Sequence, residues 1–570
     1  MNPRIKNINI RARLLVVIAI IAALLVGICV KLIKMDTVQR NFLTLESNQQ
    51  SIHTIIYPAT RGIIFDRNGI PLAVSTPMYT LVLDPKVLLS EPIALQRLLQ
   101  NPLLRPQAQA LYAAMRARPD SRYLLAGKNL TPWARTQIRN LYVPGVYLEQ
   151  TYKTYYPTAD MAAQLVGFTN VNNKGQDGLE LTFNKTLQGT TGKVRLYENA
   201  IGQILGVAQV LQEAKPGQNI TLSIDARLQY VAYAALRDQV IKTEAINGSA
   251  VVINPYTGEV LAAVSYPSFN PNDLNHRIGS AVRDAAITDI FEPGSTMKVF
   301  TISEALKSGK YTPTTPIDTN PGWILIQGHR IYDDSDNGLI DVTRVLKFSS
   351  NVGATKIALS LPWSDLYTLL QAVGFGKTPA GGFPGAENGL MLPFKSLSQL
   401  EYCTMAFGYA IAVSTLQLAH GYTVVAADGM QYPITFLKQT TQPVGVRLLP
   451  KWDTVEMRHM LLTVVQPGGT AVRANIPNYT VVGKTGTTNK VGPNGQLEAR
   501  AHNAMFAGML PIDHPDLVIV VHINNPVKGF GAEFGGISAA PVFSKIAQSA
   551  MVMMGIPANA NGAPRAVAYT

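Results

Sequence analysis

Cysteine is nearly absent from this sequence, with only Cys29 and Cys403 among 570 residues. Cys29 lies in an apolar run and Cys403 lies far from it, which excludes a disulfide framework and a cysteine-based metal site. The eight histidines are scattered and include no His-Glu-x-x-His pair. We therefore predict neither a structural nor a catalytic zinc.

Acidic residues are also scarce: 36 of them stand against 49 lysines and arginines, which gives a formal net charge of +13. Such a basic excess favours a negatively charged partner, for example a membrane face, a nucleic acid or an anionic polymer. The sequence has no dense basic run with interleaved aromatic residues, so nucleic acid is the weakest of these interpretations. Apolar residues make up 47%, which is typical of folded domains, and the length requires at least two of them.

A long uncharged run lies near the N-terminus, from Leu14 to Val30. Extended to Ile33 as a helix, it would reach about 30 Å, the thickness of the hydrocarbon core of a bilayer. We predict a transmembrane helix at residues 14–33. Residues 1–13 carry four basic side chains and no acid, so the positive-inside rule places them in the cytoplasm and the rest of the chain outside it. A cleaved signal peptide is the alternative, but its small-residue cleavage site is absent.

Residues 34–220 show mixed periodicity but no pairing of catalytic side chains. Arg61–Ser75 has apolar pairs around a turn and predicts a hairpin. The apolar spacing of three and four between residues 87 and 140 predicts helices. We interpret the charged residues here as internal ion pairs that hold loops together, namely Asp66, Arg67 and Glu180. The region is therefore predicted to be an elongated, non-catalytic pedestal domain.

A second domain is predicted for residues 221–555, followed by a short tail at 556–570. A β-like run turns into a helix at Asp225, and residues 249–265 have the pattern of two strands joined by a turn. A helix-rich stretch then runs to about residue 425. Two late strands follow, at Thr480–Thr485 and Leu517–Asn524. This order predicts an α+β domain with helices between the early and late strands of one antiparallel sheet.

Ser295 and Lys298 stand one helical turn apart, directly after the Pro293-Gly294 pair that marks the start of a helix. A serine hydroxyl is a poor nucleophile unless a base takes its proton. Lys298 can be that base only if it is neutral, which requires its pKa to fall by roughly three units from about 10.4. Burial and a second nearby cation both lower the pKa of a lysine. The alternative is an exposed lysine on a surface helix.

Two further short motifs follow in the chain. Ser349-x-Asn351 offers a hydroxyl that relays protons and an amide that both donates and accepts, although Asn351 is equally suited to cap the next helix. The third motif is Lys484-Thr485-Gly486-Thr487. Gly486 has no side chain, so an extended peptide could pair with this strand, and Lys484 is the second cation that Lys298 requires.

The third motif also has a nucleotide-binding alternative, because Gly483-Lys484-Thr485 matches the end of a phosphate-binding loop. The first glycine of that loop belongs at position 478, where Asn478 stands, and the residues before Lys484 predict a strand rather than a cradle. The sequence therefore disfavours nucleotide binding.

Ser-x-x-Lys, Ser-x-Asn and Lys-Thr-Gly in this order form the motif set of penicillin-binding proteins and class A β-lactamases. Longer segments resemble class B penicillin-binding proteins, among them RGIIFDRNGIPLA, LSIDARLQ, NPYTGEVLAAVSYPSFNPN, FGYAIAVSTLQLA and GGTAVRANIPNYTVVGKTGTT. FEPGSTMK and KVGPNG are most similar to the cell-division (septal) enzymes, and the elongation-type enzyme is the close alternative. The resemblance covers nearly the whole chain. It implies an α+β protein with one transmembrane helix, a pedestal and a transpeptidase domain of the serine β-lactamase-like fold.

The resemblance also implies catalytic roles. Ser295 would attack the penultimate D-alanine carbonyl of a peptidoglycan stem pentapeptide, with Lys298 as its base. An amine of a neighbouring stem peptide would then take the acyl group. Ser349 and Lys484 would return a proton to the leaving amine, and Asn351 would hold the donor peptide.

Substrate contacts and partners follow from the same resemblance. Thr485, Gly486 and Thr487 would bind the substrate, and the backbone N–H groups of Ser295 and Thr487 would form the oxyanion hole. β-Lactams would acylate Ser295 as substrate mimics, and no metal or organic cofactor is needed. The implied location is the bacterial inner membrane with a periplasmic catalytic domain. The implied partners are a membrane glycosyltransferase and other division proteins.

Two positions depart from the family pattern. Thr154 stands where the Tyr-Tyr-Pro segment often carries a second basic residue, and Thr488 replaces the alanine usual after Lys-Thr-Gly-Thr. These departures bear on pedestal contacts and local packing rather than on the chemistry.

Three alternatives share the same motifs. A carboxypeptidase or β-lactamase would need an activated water, and no Glu-x-x-Leu-Asn segment follows Asn351 to supply the glutamate of class A enzymes. A membrane penicillin sensor would need a cytoplasmic signalling domain, for which thirteen residues are too few. A scaffold that has lost activity is the non-enzymatic alternative.

Overall fold

A computed structural model describes residues 10–37, 39–40, 52–198, 204–273, 279–379, 381–491 and 497–558 of the chain. Ile10–Thr37 forms one continuous helix that contains the predicted span. Its stretch Ala12–Thr37 is apolar, long enough to cross a membrane once, and not buried against the rest of the protein. Parts of both predicted tails, residues 1–9 and 559–570, lie outside the described residues.

The described residues of the pedestal form two sheets. One consists of the strands Ile52–Tyr57, Gly192–Glu198 and Ile204–Gln212, and the other of Ile64–Phe65, Pro71–Leu83, Leu124–Leu130, Val146–Tyr155 and Ile220–Thr221. The predicted hairpin is confirmed, because Ile64–Phe65 pairs with Pro71–Leu83 in antiparallel register. The side chain of Asp66 fixes the turn by accepting the N–H groups of Asn68 and Ile70, at 2.8 and 2.7 Å.

The pedestal helices are short. They are Pro85–Ser90, Pro92–Leu99, Ala108–Ala117, Pro132–Arg139, Ala163–Val166, Gly178–Thr182 and Asn184–Leu187, with 3₁₀ turns at Arg105–Gln107 and Ala159–Ala162. The helices predicted between residues 87 and 140 are confirmed. The strand Leu124–Leu130 interrupts them and was not predicted, because its partner, Pro71–Leu83, lies far away in sequence.

The charged residues of the pedestal form contacts of two kinds. Arg61 and Glu180 form a buried ion pair in which Arg61 Nε lies 2.7 Å from Glu180 Oε2. Arg67 reaches Glu259 of the next domain, at 3.4 Å. Asp66 accepts backbone N–H groups instead, including that of Ala226 at 3.1 Å. The ion-pair interpretation therefore holds for Glu180 and Arg67 and is wrong for Asp66.

The second domain is built on an antiparallel sheet of five strands, called here the catalytic sheet. In spatial order its strands are Val260–Tyr266, Asn247–Ile253, Leu517–Asn524, Leu497–Leu510 and Val482–Val491. The last of these lies at the sheet margin and is called the edge strand. Residues 248–253, 503–510 and 517–523 of the three inner strands are all buried, which explains their apolar runs.

The sequence prediction of this sheet was incomplete in two respects. The strand Leu497–Leu510 was missed, because most apolar positions in its first half, LEARAHNA, are alanine, which has a low strand propensity. The edge strand runs from Val482 to Val491 rather than from Thr480 to Thr485. Its polar second half takes strand form by pairing with Leu497–Leu510, for example Thr487 with Ala504. The local composition therefore predicted too early an end for the edge strand.

Helices cover both faces of the catalytic sheet. The longer ones are Ala226–Thr243, Lys298–Lys307, Asn351–Leu359, Trp363–Ala372, Gln399–Met405, Thr415–Ala426, Lys451–Val465 and Ala540–Met553. The short ones are Ala285–Thr288, Val342–Lys347 and Gly535–Ser538, with 3₁₀ turns at Gly279–Val282, Gly294–Met297, Phe394–Ser396 and Val472–Ala474. The first helix begins directly after Asp225 as predicted, and Asp225 caps it by accepting the N–H of Arg227 at 3.0 Å.

Four small two-stranded sheets lie among these helices and were not predicted. They pair Pro316–Asp318 with Leu339–Asp341, Trp323–Ile326 with His329–Tyr332, Leu390–Met391 with Ile411–Ala412, and Met430–Gln431 with Val446–Arg447. Strands of two to four residues carry too little periodicity to be recognised. The second pair matters for function, because Tyr332 ends beside the Ser-x-Asn motif.

The helix Lys298–Lys307, called the serine helix, lies at the centre of the domain. All its residues from Lys298 to Leu306 are buried. Phe300 packs edge-on against Phe375 and Tyr422, with ring centroids 5.2 and 5.7 Å away. A helix buried on all sides is held rigidly, so its first residue is a fixed platform for chemistry.

Candidate active site

Ser295 lies in the 3₁₀ turn Gly294–Met297 that leads into the serine helix. The predicted α-helix therefore begins at Lys298, three residues later than the Pro-Gly pair suggested. Gly294 has a φ of +52°, and a Cβ there would lie 2.6 Å from the methyl group of Thr488. Glycine is thus required for the turn to approach the edge strand.

Lys298 is fully buried, as the base interpretation required. Its Nζ lies 2.9 Å from Ser295 Oγ, 2.5 Å from the carbonyl oxygen of Ser349 and 2.8 Å from Asn351 Oδ1. The last two atoms can only accept hydrogen bonds. A neutral amine satisfies both with its two N–H groups and keeps its lone pair for the hydroxyl of Ser295. This is the arrangement of a base about to remove the serine proton.

The electrostatics of the site favour the neutral amine. Burial lowers the pKa of Lys298 well below its ordinary value, and the nearby charge of Lys484 lowers it further. Burial also lowers the pKa of Lys484, to about 7. The second cation that the sequence required is therefore present, and it acts in the predicted direction.

The Ser-x-Asn motif lies between these two lysines. Ser349 Oγ is 3.3 Å from Lys298 Nζ and 3.0 Å from Lys484 Nζ, so one hydroxyl connects both amines. The capping alternative for Asn351 is wrong, because Ser350 is the N-cap of Asn351–Leu359 and its Oγ accepts the N–H of Gly353. Asn351 instead turns its Oδ1 toward Lys298 and donates from Nδ2 to the carbonyl of Tyr332, at 2.9 Å.

The Lys-Thr-Gly motif lies on the edge strand, beside the serine turn. Lys484 Nζ donates to the carbonyl of Thr485 at 3.1 Å, and Thr485 Oγ1 lies 2.7 Å from Thr470 Oγ1. A Cβ at Gly486 would lie 2.6 Å from Met505 and 2.7 Å from the carbonyl of Pro293. Glycine is therefore needed for packing against the serine turn, not only for the approach of a peptide. No other strand of the described chain pairs with the outer margin of this strand, which leaves it available for pairing with an extended peptide.

The backbone of Thr487 also approaches the serine turn. A Cβ on Gly294 would lie 3.5 Å from the backbone nitrogen of Thr487. The N–H groups of Ser295 and Thr487 thus belong to adjacent segments, which is compatible with an oxyanion hole. Their role as its donors stays a prediction.

A cavity of about 650 Å³ opens above these residues. The predicted residues in its lining are Ser295, Ser349, Asn351, Thr485 and Thr487, whereas Lys298 and Lys484 lie beneath it. Side chains that sequence reasoning did not single out also line it, namely Asp334, Tyr409, Thr470, Asn489, His502, Glu533 and Phe534. Tyr409 and Thr470 belong to segments that carried the family resemblance. His502 lies on the unpredicted strand, so no local signal pointed to it.

Two remaining expectations concern metal ligands and the two departures from the family pattern. Within the described ranges, no three His, Cys, Asp or Glu side chains are grouped to hold a metal ion. Thr154 Oγ1 donates to Asn173 Oδ1 at 2.6 Å, which fastens a pedestal loop. Thr488 Oγ1 donates to the carbonyl of Glu292 at 3.2 Å. Both threonines therefore take part in local packing, as expected.

A serine hydroxyl beside a buried lysine, with a second buried lysine at a strand margin, defines a serine acyltransferase site. The chain belongs to the penicillin-binding protein family. The family described as penicillin binding protein transpeptidase domain matches residues 248–548, and the penicillin-binding protein dimerisation domain matches residues 56–222. The class B resemblance and the predicted two-domain fold are thereby confirmed.

Named relatives agree with this assignment over most of their length. The chain is 37% identical over 551 residues to the probable peptidoglycan D,D-transpeptidase PbpC of Pseudomonas aeruginosa, covering 96% of both chains. It is 35% identical over 530 residues to the peptidoglycan D,D-transpeptidase FtsI of Escherichia coli, covering 92% of this chain and 89% of the relative. The solved transpeptidase domain of Burkholderia pseudomallei penicillin-binding protein 3 is 38% identical, covers 60% of this chain and 98% of its own, and superposes with a TM-score of 0.55. Among the described residues, one helix, at the N-terminal end, is apolar and long enough to span a membrane, which agrees with a single-pass membrane protein of this family.

Proposed function

We propose that this protein cross-links peptidoglycan stem peptides as a D,D-transpeptidase, through an acyl-enzyme on Ser295. The observation that carries the proposal is the 2.9 Å contact between Ser295 Oγ and Lys298 Nζ, made by a lysine whose pKa is lowered by burial. The names of the relatives, which are peptidoglycan D,D-transpeptidases, support the substrate class.

The proposed acylation begins at Lys298. Its neutral amine takes the proton of Ser295 as Oγ attacks the penultimate D-alanine carbonyl of the donor peptide. Backbone N–H groups of Ser295 and Thr487 stabilise the oxyanion, where losing one donor typically costs about 2.7 to 4 kcal/mol. The proton reaches the leaving amine through Ser349, which connects the two lysines. The peptide bond breaks and the terminal D-alanine leaves.

In the second half-reaction an amine of a neighbouring stem peptide attacks the Ser295 ester. The amine loses a proton to the lysine pair, the ester C–O bond breaks, and Ser295 regains its hydrogen. The donor strand pairs with the edge strand at Thr485–Thr487, while Asn351 holds its amide. β-Lactams acylate Ser295 in place of the donor.

Orientation, location and partners form a second part of the proposal. The N-terminus is cytoplasmic and both folded domains lie outside the cytoplasmic membrane, supported by the basic residues before the helix. A septal role is supported by FEPGSTMK and KVGPNG, although residues 492–495 of the second segment lie outside the described residues. A membrane glycosyltransferase is the proposed partner, because cross-linking needs new glycan strands and the transmembrane helix has no partner within the described chain.

The test of the chemistry is labelling of the full-length chain, in detergent, with a fluorescent penicillin. A stable covalent adduct that Ser295→Ala and Lys298→Ala both abolish is expected. Incubation with a stem pentapeptide and an amine acceptor should release D-alanine and form the cross-linked product. An adduct that is lost within minutes, or release of D-alanine without transfer to the amine, would instead favour the hydrolase. No adduct on folded protein would favour a scaffold.

The septal role is tested in cells by replacing the wild-type copy with Ser295→Ala. Filaments without septa are expected. Rounded cells that still divide would favour the elongation-type enzyme. Tagged transmembrane segments that fail to crosslink to any membrane glycosyltransferase would contradict the proposed partner.

A further inference from the structure

Asp333 is a half-buried carboxylate that no motif of the sequence singled out. It follows the strand His329–Tyr332 and opens a loop, called here the aspartate loop, that runs from Asp333 to Gly338. Its Oδ1 accepts the backbone N–H groups of Asn351 and Val352, at 2.5 and 2.9 Å. Its Oδ2 accepts the hydroxyl of Ser350 at 2.5 Å. One carboxylate thus binds three consecutive residues that overlap the Ser-x-Asn motif.

These contacts fix the start of the helix Asn351–Leu359. Two of the bonds satisfy N–H groups of its first turn, where a carboxylate is also favoured by the helix dipole. The hydroxyl of Ser350 accepts from Gly353 N at 2.8 Å while donating to Asp333. The adjacent carbonyl of Tyr332 holds the amide of Asn351 so that Oδ1 faces Lys298.

Ser349, two residues before this helix, has little tolerance for movement. Ser349 has a φ of +61°, a strained value for a residue with a side chain. Its carbonyl and hydroxyl contact Lys298, and its hydroxyl also contacts Lys484. If the helix start shifted, all these contacts would change together, and a misplacement of about 1 Å can cost about 10²-fold in rate.

We propose that Asp333 is a positioning residue for acylation, which holds Ser349 and Asn351 in register with the amine of Lys298. This inference rests on the proposed function of Ser295 and Lys298. Asp333 contacts neither of them with a hydrogen bond among the described contacts, so it acts through the Ser-x-Asn segment.

The charge of Asp333 gives the proposal a second readout. Lys298 is faced by Lys484 from the edge strand and by Asp333 and Asp334 from the aspartate loop. Burial and Lys484 lower the pKa of Lys298, while the two aspartates raise it. Removing the charge of Asp333 should therefore extend the activity to lower pH, because Lys298 would lose its proton there more readily.

The test measures the rate of acylation by a fluorescent penicillin on the full-length chain, from about pH 5 to about pH 9. Asp333→Ala should lower the rate by about tenfold or more. Asp333→Asn keeps an oxygen for both backbone N–H groups, so it should retain more activity and move the acid limb to lower pH. Asp336→Asn is the matched control, since Asp336 lies in the same loop and its side chain accepts only Gly338 N within the described contacts. Its profile should equal that of the wild type.

Two results would overturn the proposal: Asp333→Ala within twofold of the wild type, or an unmoved acid limb in Asp333→Asn. If Asp333→Ala does not fold, the profile of Asp333→Asn decides alone. Failure of the proposed function is a separate result, seen as a wild type that forms no adduct or as Ser295→Ala that still forms one.

Discussion

The pedestal and the catalytic domain each bury a pair of ionisable side chains. In the pedestal, Arg61 and Glu180 are 3% and 1% exposed and carry opposite charges. In the catalytic domain, Lys298 and Lys484 are both 0% exposed, and both would be positive if protonated. Arg61 also donates to Asn184 Oδ1 and to the carbonyl of Glu180, so its fork is fully used. The lysines share a hydroxyl instead of a carboxylate.

This difference indicates that the pedestal pair serves stability, whereas the lysine pair serves catalysis. An opposite pair offsets much of its desolvation cost through mutual attraction and hydrogen bonds. Two buried lysines gain no such attraction from each other, and the pair is tolerable only if protons are lost. Folding alone would not retain Lys298 and Lys484. Perturbed lysines at the base of an open cavity are typical of a catalytic site.

The largest effect is expected when the lysine pair is broken. Lys298→Met keeps the length of the side chain but removes the base, so acylation by penicillin should fall by roughly 10² to 10⁴-fold. The melting temperature should stay equal or rise, because a costly buried amine is gone. Both are measured on the same full-length preparation by adduct formation and thermal unfolding. A variant that melts much earlier than the wild type would place Lys298 among the structural residues.

Breaking the oppositely charged pair of Arg61 and Glu180 should lower stability and leave acylation unchanged. Glu180→Gln leaves the guanidinium of Arg61 without its counter-charge, which typically costs 3 to 5 kcal/mol or about 10 °C in the unfolding midpoint of the pedestal. Acylation by the folded fraction should remain, since Glu180 has no contact with the site among the described contacts.

The double variant Arg61→Met/Glu180→Leu is the control for this experiment. It removes both charges together and should lose less stability than Glu180→Gln. Equal losses in both would mean that the ion pair is not the origin of the stability.

Local signals predicted much of the fold. The apolar N-terminal run, the helix start at Asp225 and the hairpin of Asn247–Ile253 with Val260–Tyr266 all depend on neighbours in sequence. The strand Leu497–Leu510 depends on distant partners, because it is held between Leu517–Asn524 and the edge strand. Its alanine-rich first half therefore gave only a weak local signal. The same reason explains the missed strand Leu124–Leu130.

The motif residues of the site could be predicted because short spacing rules fix them. Ser295 and Lys298 are three residues apart, and residues at this spacing lie on one face of a 3₁₀ turn as well as of an α-helix. A second cation was expected because a nearby positive charge lowers the pKa of a lysine. Lys484 is that cation, and its charge lowers the pKa of Lys298. Asp333 could not be found in this way. It enters through a four-residue strand, and only the tertiary fold brings it to the first turn of Asn351–Leu359.

The pH dependence of stability tests whether buried Lys484 loses its proton in the folded protein. The pKa of Lys484 is about 7 in the folded protein and about 10.4 in the unfolded chain. Between these values the unfolded chain binds more protons, so the free energy of unfolding should rise with pH by up to about 1.4 kcal/mol per unit. Lys484→Met removes this contribution.

The measurement compares melting temperatures at about pH 7 and about pH 9. As the pH rises, the melting temperature of the wild type should increase relative to that of Lys484→Met. The control Lys395→Met, at an exposed position, should show the same pH dependence as the wild type. A constant difference between wild type and Lys484→Met would mean that Lys484 keeps its proton throughout this range.

The smallest effect is expected at Thr488, a neutral neighbour of the lysine site. Thr488→Ala removes one hydrogen bond to the carbonyl of Glu292 and one methyl group beside Gly294, which typically costs about 1 kcal/mol in stability. The turn that carries Ser295 is also held by the bond from Gly294 N to Gly408 O, at 3.0 Å. Acylation should therefore change by less than about fivefold, or about 1 kcal/mol. A loss as large as that of Lys298→Met, at unchanged melting temperature, would show that Thr488 acts on the substrate and that chemistry extends beyond the charged pair.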